Sequence, residues 1–335
     1  MDALSEMLKA LRLTSGIFLE VEFTAPWCID SAPDERDNAH LLPDAEHISI
    51  YHLVTEGRCR AKLPGAEPPI DLEAGDLILF PHGDGHLLGS DLHLTPRVAA
   101  QLVERSPSGG LARIRYGGGG ARTRFVCGYM ACDKRMCKPL LGALPRMLKV
   151  SLRDSPAAEW IEAAIRRAAS ETHAPSAGGD VVLARLAELL FVEGLREYVR
   201  SLPESQQGWL AGLRDPHVGR ALALLHSDPA RGWGVETLAQ ETGLSRSALA
   251  DRFVALIGEP PMQYLTGWRM ALAAQALSTG NDAVARIAER VGYESEAAFN
   301  RAFKREFGTP PAAWRRAARL TARKEAAFPV EASGE

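Results

Sequence analysis

Two groups of residues have types and spacings suited to chemistry. The first is a pair of stretches near the carboxy-terminal end. Ser245, Arg246, Ser247 and Arg252 in one, and Ser295, Glu296, Asn300, Arg301, Lys304 and Arg305 in the other, fall on the outer side of segments whose inner side is apolar. Arg and Asn can form paired hydrogen bonds with purine edges, whereas Lys304 and Arg305, further along their segment, suit phosphates. The second group is thiols and imidazoles: Cys28, Cys59, Cys127, Cys132 and Cys137, with His52 and His86. A thiolate is the reactive and metal-binding form, and nearby cations favour it. Lys134, Arg135 and Lys138 surround Cys132 and Cys137, which makes these two the foremost candidates for oxidation or metal capture. Cys28, beside Pro26 and Trp27 on an expected loop, is a candidate distant partner.

The elements that must position the second group read as strands. Ile48 to Val54 alternates with period two, Glu56-Gly57 interrupts it, and Arg58 to Leu63 alternates again, which predicts a hairpin. Alternation turns His52 inward with Ile48, Ile50 and Val54, and Cys59 inward with Ala61 and Leu63. A buried imidazole of this kind serves as a core residue with a hydrogen-bond partner or as a ligand. A buried thiol serves as a small apolar residue or as a sensor. Short strands and turns continue through Leu77 to Phe80 and Arg124 to Tyr129, in the pattern of a small barrel or sandwich.

From Pro139 onward the period becomes helical, and Val182, Leu183, Leu186, Leu189, Leu190 and Leu195 predict a long amphipathic helix between Gly179 and Pro203. It could pack on its own barrel or also pair with a second subunit. Residues 202 to 208 read as a linker. Beyond them lies an internal repeat. Ala239, Gly243, Leu249, Phe253, Gly258, Pro260, Pro261 and Tyr264 recur as Ala288, Gly292, Phe299, Phe303, Gly308, Pro310, Pro311 and Trp314. Each copy predicts a short helix ended by glycine, a serine cap (Ser245, Ser295) and a second helix with an apolar inner stripe, Leu249, Phe253 and Leu256 or Phe299, Phe303 and Phe307. That is a helix-turn-helix, whose second helix is free to enter a major groove.

Composition sets the frame. The chain has 335 residues, 46% hydrophobic and 24% charged, which excludes collagen-like and wholly disordered classes. There is no signal-peptide pattern at Met1 and no apolar run long enough for a membrane helix, so a cytoplasmic protein without a membrane partner is expected. The net charge of -3 argues against nucleic acid only until it is divided. Residues 215 to 324 hold 15 Lys and Arg against 11 Asp and Glu, residues 1 to 214 hold 24 against 28, and the last 11 residues add three acids. The repeat region is basic, at +4.

The segments from Leu244 to Phe253 and from Ser295 to Pro311 resemble the two helix-turn-helix units of AraC-family transcription regulators. The resemblance implies seven helices, with Pro261 to about Ser278 linking two recognition helices on one face of double-stranded promoter DNA, and contact with RNA polymerase when the protein activates. Asp251 and Glu296 are acidic where the family faces DNA, which leaves the base-contacting subset open. Gly75 to His86 resembles the second cupin motif, with Ser90 at its later Asn position, while the first motif with its two histidines and a Glu is absent. A cupin barrel is expected, and a full metal site is not, since such sites take about three protein ligands. With Tyr51 to Cys59, this run is similar to the cupin subgroup of AraC-type regulators that includes activators sensing reactive chlorine through cysteine oxidation.

The expected organisation is multidomain. It comprises an all-β cupin-like sensory domain over 1–138, an α-helical connector supporting a homodimer over 139–208, an all-α double helix-turn-helix domain over 215–320 and a tail over 321–335. The expected function is DNA-binding transcription regulation rather than catalysis, with cysteine oxidation as the sensed signal. The alternatives are a small molecule or metal in the barrel, or a cupin-type oxygenase. No cofactor is identified with certainty, and a metal in the cupin domain stays open.

Overall fold

A computed structural model describes residues 2–11, 14–15, 19–31, 47–65, 68–104, 112–132, 137–173, 177–203 and 208–327. The chain divides into two units. One gathers Met1–Arg12, Asp133–Ala143 and Leu202–Glu335, and the other Leu13–Cys132 and Leu144–Ser201.

The second of these is built on two sheets. One is ordered β10 (Ala112–Gly117), β2 (Leu19–Thr24), β11 (Arg122–Cys132), β4 (His47–Glu56), β7 (Asp76–Phe80) and β12 (Leu148–Ser151), with β1 (Thr14–Ser15) paired to β11. The other is ordered β6 (Ile70–Glu73), β5 (Arg58–Lys62), β8 (Leu87–Gly89), β3 (Cys28–Asp30) and β9 (Arg97–Val98). Inward residues of both sheets form one core that includes Val21, Phe23, Trp27, Ile50, Val54, Phe80 and Phe125.

Three expectations are corrected. β4 and β5 do not pair as a hairpin, because β4 bonds to β11 and β7 while β5 bonds to β6 and β8. Gly57 turns the chain from one sheet into the other with φ +79, against the Arg122 backbone where a Cβ would collide. Cys28 is not on a loop but opens β3, opposite Gly89. The stretch after Pro139 is not wholly helical. β12 pairs with β7 and extends the sheet, so the sheet runs past the boundary expected at 138.

α3 (Ala158–His173) and α4 (Gly179–Ser201) belong to the same unit. α4 presents Leu183, Ala187, Leu190, Phe191 and Leu195 inward, and Gly194 lets it approach the Leu77 side chain on β7 too closely for any Cβ. The helix therefore packs on its own sheet. Val181, Val182 and Leu189 stay exposed on its other side.

The other unit is helical. From Pro216 it holds seven helices among the described residues: α6 (Pro216–Ser227), α7 (Val235–Thr242), α8 (Arg246–Ile257), α9 (Pro261–Thr279), α10 (Val284–Arg290), α11 (Glu296–Phe307) and α12 (Pro311–Ala327). They follow α2 (Lys138–Gly142) and α5 (Trp209–Arg214). The chain's first helix, α1 (Ala3–Leu11), also belongs here and packs against α6. Ala3 and Met7 are buried, and the Ala3 carbonyl lies 3.4 Å from Nδ1 of His226. His226 stacks on Trp268, and its Nε2 meets the Tyr264 hydroxyl at 2.8 Å, which in turn accepts from Trp209 Nε1 at 2.8 Å. No helix among the described residues is long and apolar enough to cross a membrane.

Candidate nucleic-acid interface and barrel interior

Each copy of the repeat is built by the same local devices. α7 ends at Gly243, whose φ of 73° and ψ of 26° are left-handed, and the Ser245 hydroxyl caps α8 by accepting from the Ala248 N–H at 3.2 Å. In the second copy Gly292 follows α10 with φ +82, and the Ser295 hydroxyl accepts from the Ala298 N–H at 3.2 Å. Leu249 and Phe253, like Phe299 and Phe303, are fully buried. Leu256 and Phe307, expected in the same stripes, are only half-buried at the ends of their helices.

The outward faces differ. On α8, Ser245, Arg246, Ser247 and Arg252 are exposed, but both arginines are held by carboxylates. Arg246 Nη1 lies 2.8 Å from Glu236 Oε1. Arg252 places Nε at 2.6 Å and Nη2 at 2.5 Å from Asp215 Oδ2. Oδ1 of Asp215 accepts from the N–H groups of His217 and Val218, capping α6. Burial works to raise the Asp215 carboxyl, yet the bonds from Arg252 and the two N–H groups outweigh it and hold it below the ordinary carboxylate value. Arg252 thus ties α8 to the start of α6. Asp215 was missed in the sequence, although an Asp directly before Pro216 carries a helix-cap signal.

On α11, Ser295, Glu296, Arg301, Lys304 and Arg305 are exposed and Asn300 is half-buried. Among the described residues, Arg301, Lys304 and Arg305 make no ion pair with a carboxylate. Lys304 and Arg305 occupy the last turn of α11, where cations suit the helix dipole. α11 therefore exposes three cations that no carboxylate among the described residues pairs with.

In the cupin domain, His52, His86 and Cys127 are brought together. Nδ1 of His86 lies 2.9 Å from the Asp84 carbonyl oxygen, Nε2 of His86 lies 2.7 Å from Nε2 of His52, and Nδ1 of His52 lies 2.8 Å from Cys127 Sγ. A carbonyl only accepts, so His86 carries its proton on Nδ1 and offers a lone pair at Nε2. His52 must then donate from Nε2, which leaves its Nδ1 to accept the Cys127 S–H. Every link carries one proton and every group is neutral. Burial drives this, holding His52 well below the ordinary imidazole range and His86 at about 4. The same burial pushes the Cys127 and Cys59 thiols up, and burial followed by Asp91 and Asp30 pushes Cys28 up.

Cys28, Cys59 and Cys127 are free and buried, whereas Cys132 and Cys137 are disulfide-bonded. Cys28, a candidate distant partner in the sequence, is free. Lys134 and Arg135 lie outside the described residues. A cupin-type metal does not fit. An ion between the facing imidazoles would gain two ligands, because Cys127 meets the opposite nitrogen of His52. No group of three suitable side chains occurs among the described residues.

Residues 2–200 match the family described as Cupin, and residues 238–317 match Helix-turn-helix domain. An AraC-like transcription regulator of Streptomyces lividans is 36% identical over 94% of this chain and 98% of its own length. The chain belongs to the AraC family of transcription regulators. Other members similar to this AraC-family protein are the HTH-type transcriptional regulator AlkR of Acinetobacter baylyi and the RCS-specific transcriptional activator RclR of Escherichia coli. AlkR is 29% identical over 94% of this chain and 99% of its own, and RclR is 27% identical over 81% and 86%. Among solved structures, the DNA-binding domain of AdpA in complex with a target DNA is 33% identical, covering 33% of this chain and 98% of that one with a TM-score of 0.32. As an AraC-family regulator, the protein is DNA-binding, with a cupin domain preceding the helix-turn-helix region.

Proposed function

We propose that this regulator binds promoter DNA through both recognition helices, α11 supplying most of the attraction, and responds to a signal received in its cupin domain. The observation that carries this reading is the contrast between the two helices. α8 has its arginines neutralised internally, and α11 leaves Arg301, Lys304 and Arg305 unneutralised. In this reading Arg301 and Asn300 meet base edges, and Lys304 and Arg305 meet phosphates. The exposed Val181, Val182 and Leu189 on α4 support a homodimer, the signal altering how two DNA-binding regions are presented to DNA and to RNA polymerase. A regulator of this kind works in the cytoplasm.

For the signal, cysteine oxidation at Cys132 and Cys137 is favoured. These two are disulfide-bonded, while burial pushes the other three thiols toward the protonated, less reactive form. RclR, whose name calls it RCS-specific, is a distant relative at 27% identity. The neutral chain of Cys127, His52 and His86 supports a second one, a small molecule in the barrel exchanging hydrogen bonds with the imidazoles.

The DNA reading is tested by two substitutions. Arg301→Ala should weaken specific binding by about 1 to 3 kcal/mol and relax sequence preference, whereas Lys304→Ala should weaken binding evenly across sequences and lower the salt slope by about 1. Unchanged affinity in both variants, measured by fluorescence anisotropy at several salt concentrations, would remove α11 from the interface.

A further inference from the structure

Two recognition helices can meet successive turns of DNA only if their separation and rotation are fixed. α9 joins the two copies, and one of its side chains touches the loop of one copy and the turn of the other. Arg269 is half-buried on α9. Its Nε donates to the Pro229 carbonyl at 2.7 Å and its Nη2 to the Arg231 carbonyl at 2.9 Å. Both carbonyls belong to the loop that leads from α6 into α7, the entry to the first helix-turn-helix.

The guanidinium also lies against Gly292, the turn glycine of the second. A Cβ there would fall 2.8 Å from Arg269 Nη2, 2.9 Å from its Cζ and 2.8 Å from the Ala230 carbonyl oxygen. Gly243, at the corresponding turn of the first copy, has the same left-handed backbone with no atom within 4 Å of a Cβ. Left-handed backbone thus accounts for glycine in both copies, and the close approach belongs to the second alone. Burial lowers the Arg269 pKa, while Tyr293 and Asp228, on the turn side and the loop side, both act to keep the charge.

We propose that Arg269 is a positioning residue for DNA recognition, a planar fork that locks the loop over 229–231 to the Gly292 turn and thereby sets the spacing at which α8 and α11 meet DNA. A lysine nitrogen is a point charge and lacks the fork. The proposal rests on the reading that both helices engage DNA, and it adds what determines the length of site they accept. Inserting one base pair moves the second half of a site by about 3.4 Å and rotates it by about 35°. A rigid pair rejects that change, and a loosened pair accepts it at lower affinity, because the gain from linkage depends on how well the link matches the span.

The probes are duplexes enriched by the full-length wild-type protein from a random-sequence pool, remade with one base pair added or removed between the two protected segments, and duplexes carrying either segment alone. The wild type should lose about tenfold in affinity on either spacer change. Arg269→Met should bind the parent duplex about tenfold more weakly but lose less than about twofold on a spacer change, with Arg269→Lys between them. All three proteins should bind the single segments equally.

A spacer penalty in Arg269→Met as steep as the wild type's would overturn the proposal. Loss of single-segment binding in that variant would do the same, since it would make Arg269 a folding residue. A wild type that protects one segment only, or ignores the spacer, would overturn the two-helix reading instead.

Discussion

Replacing Gly292 with alanine should cost more than the same change at Gly243, and the structure sets the difference. Both glycines are left-handed, with φ +82 and φ +73. A side chain in that conformation costs roughly 1–2 kcal/mol on sterics alone. At Gly243 nothing lies within 4 Å of the new methyl, so this is the whole penalty. At Gly292 the methyl meets the Ala230 carbonyl at 2.8 Å, and that oxygen is backbone, so the loop over 229–231 must move. Overpacking of this kind adds about 1–3 kcal/mol, giving roughly 2–5 kcal/mol in all. The assay is native-state amide hydrogen exchange on the full chain, which resolves local opening free energies. Gly292→Ala should lower protection in α10 and α11, around the core of Ile287, Phe299 and Phe303, by at least about 1 kcal/mol more than Gly243→Ala lowers it in α7 and α8. Equal losses in the two variants would refute the close approach inferred at Gly292.

Two further outcomes are expected. Burial holds His86 and His226 at about 4 against an ordinary value of 6.5, so between those values the unfolded chain binds protons that the folded chain does not. Stability is complete above 6.5 and declines as pH falls toward 4; a thermal midpoint that is flat or rising over that acidification would contradict the neutral imidazoles. Oxidant should change the output of a promoter reporter, and Cys132→Ser or Cys137→Ser should blunt the change, whereas a full response in a variant lacking all five cysteines would reject redox sensing in favour of a barrel ligand.

The DNA-binding region was legible because its devices are local. A turn glycine, a serine cap and a stripe at spacings of three and four all fall within about twenty residues, and both copies form them, with only the last stripe residue, Leu256 or Phe307, less buried than expected. What escaped depends on distant partners. Arg252 looked free for DNA because its partner, Asp215, lies 37 residues away. The alternation around His52 gave its inward direction correctly, but its hydrogen bond to Cys127 spans 75 residues. The period-two pattern on either side of Gly57 was real, and its error was the partner, since alternation specifies a face and not a neighbour. β12 is four residues long, too short a period to stand out among helical signals.

The docking of α1 on α6 has a consequence for how the chain is made. The His226 imidazole and the Ala3 carbonyl are 223 residues apart. At a synthesis rate of roughly 5–20 residues per second, the first helix leaves the ribosome some 10–45 s before its packing surface exists. Throughout that interval Met7 and its apolar neighbours are available to chaperones, and the barrel strands emerge ahead of the segment that will cover them. Folding of the DNA reader therefore joins two helices that are made far apart in time.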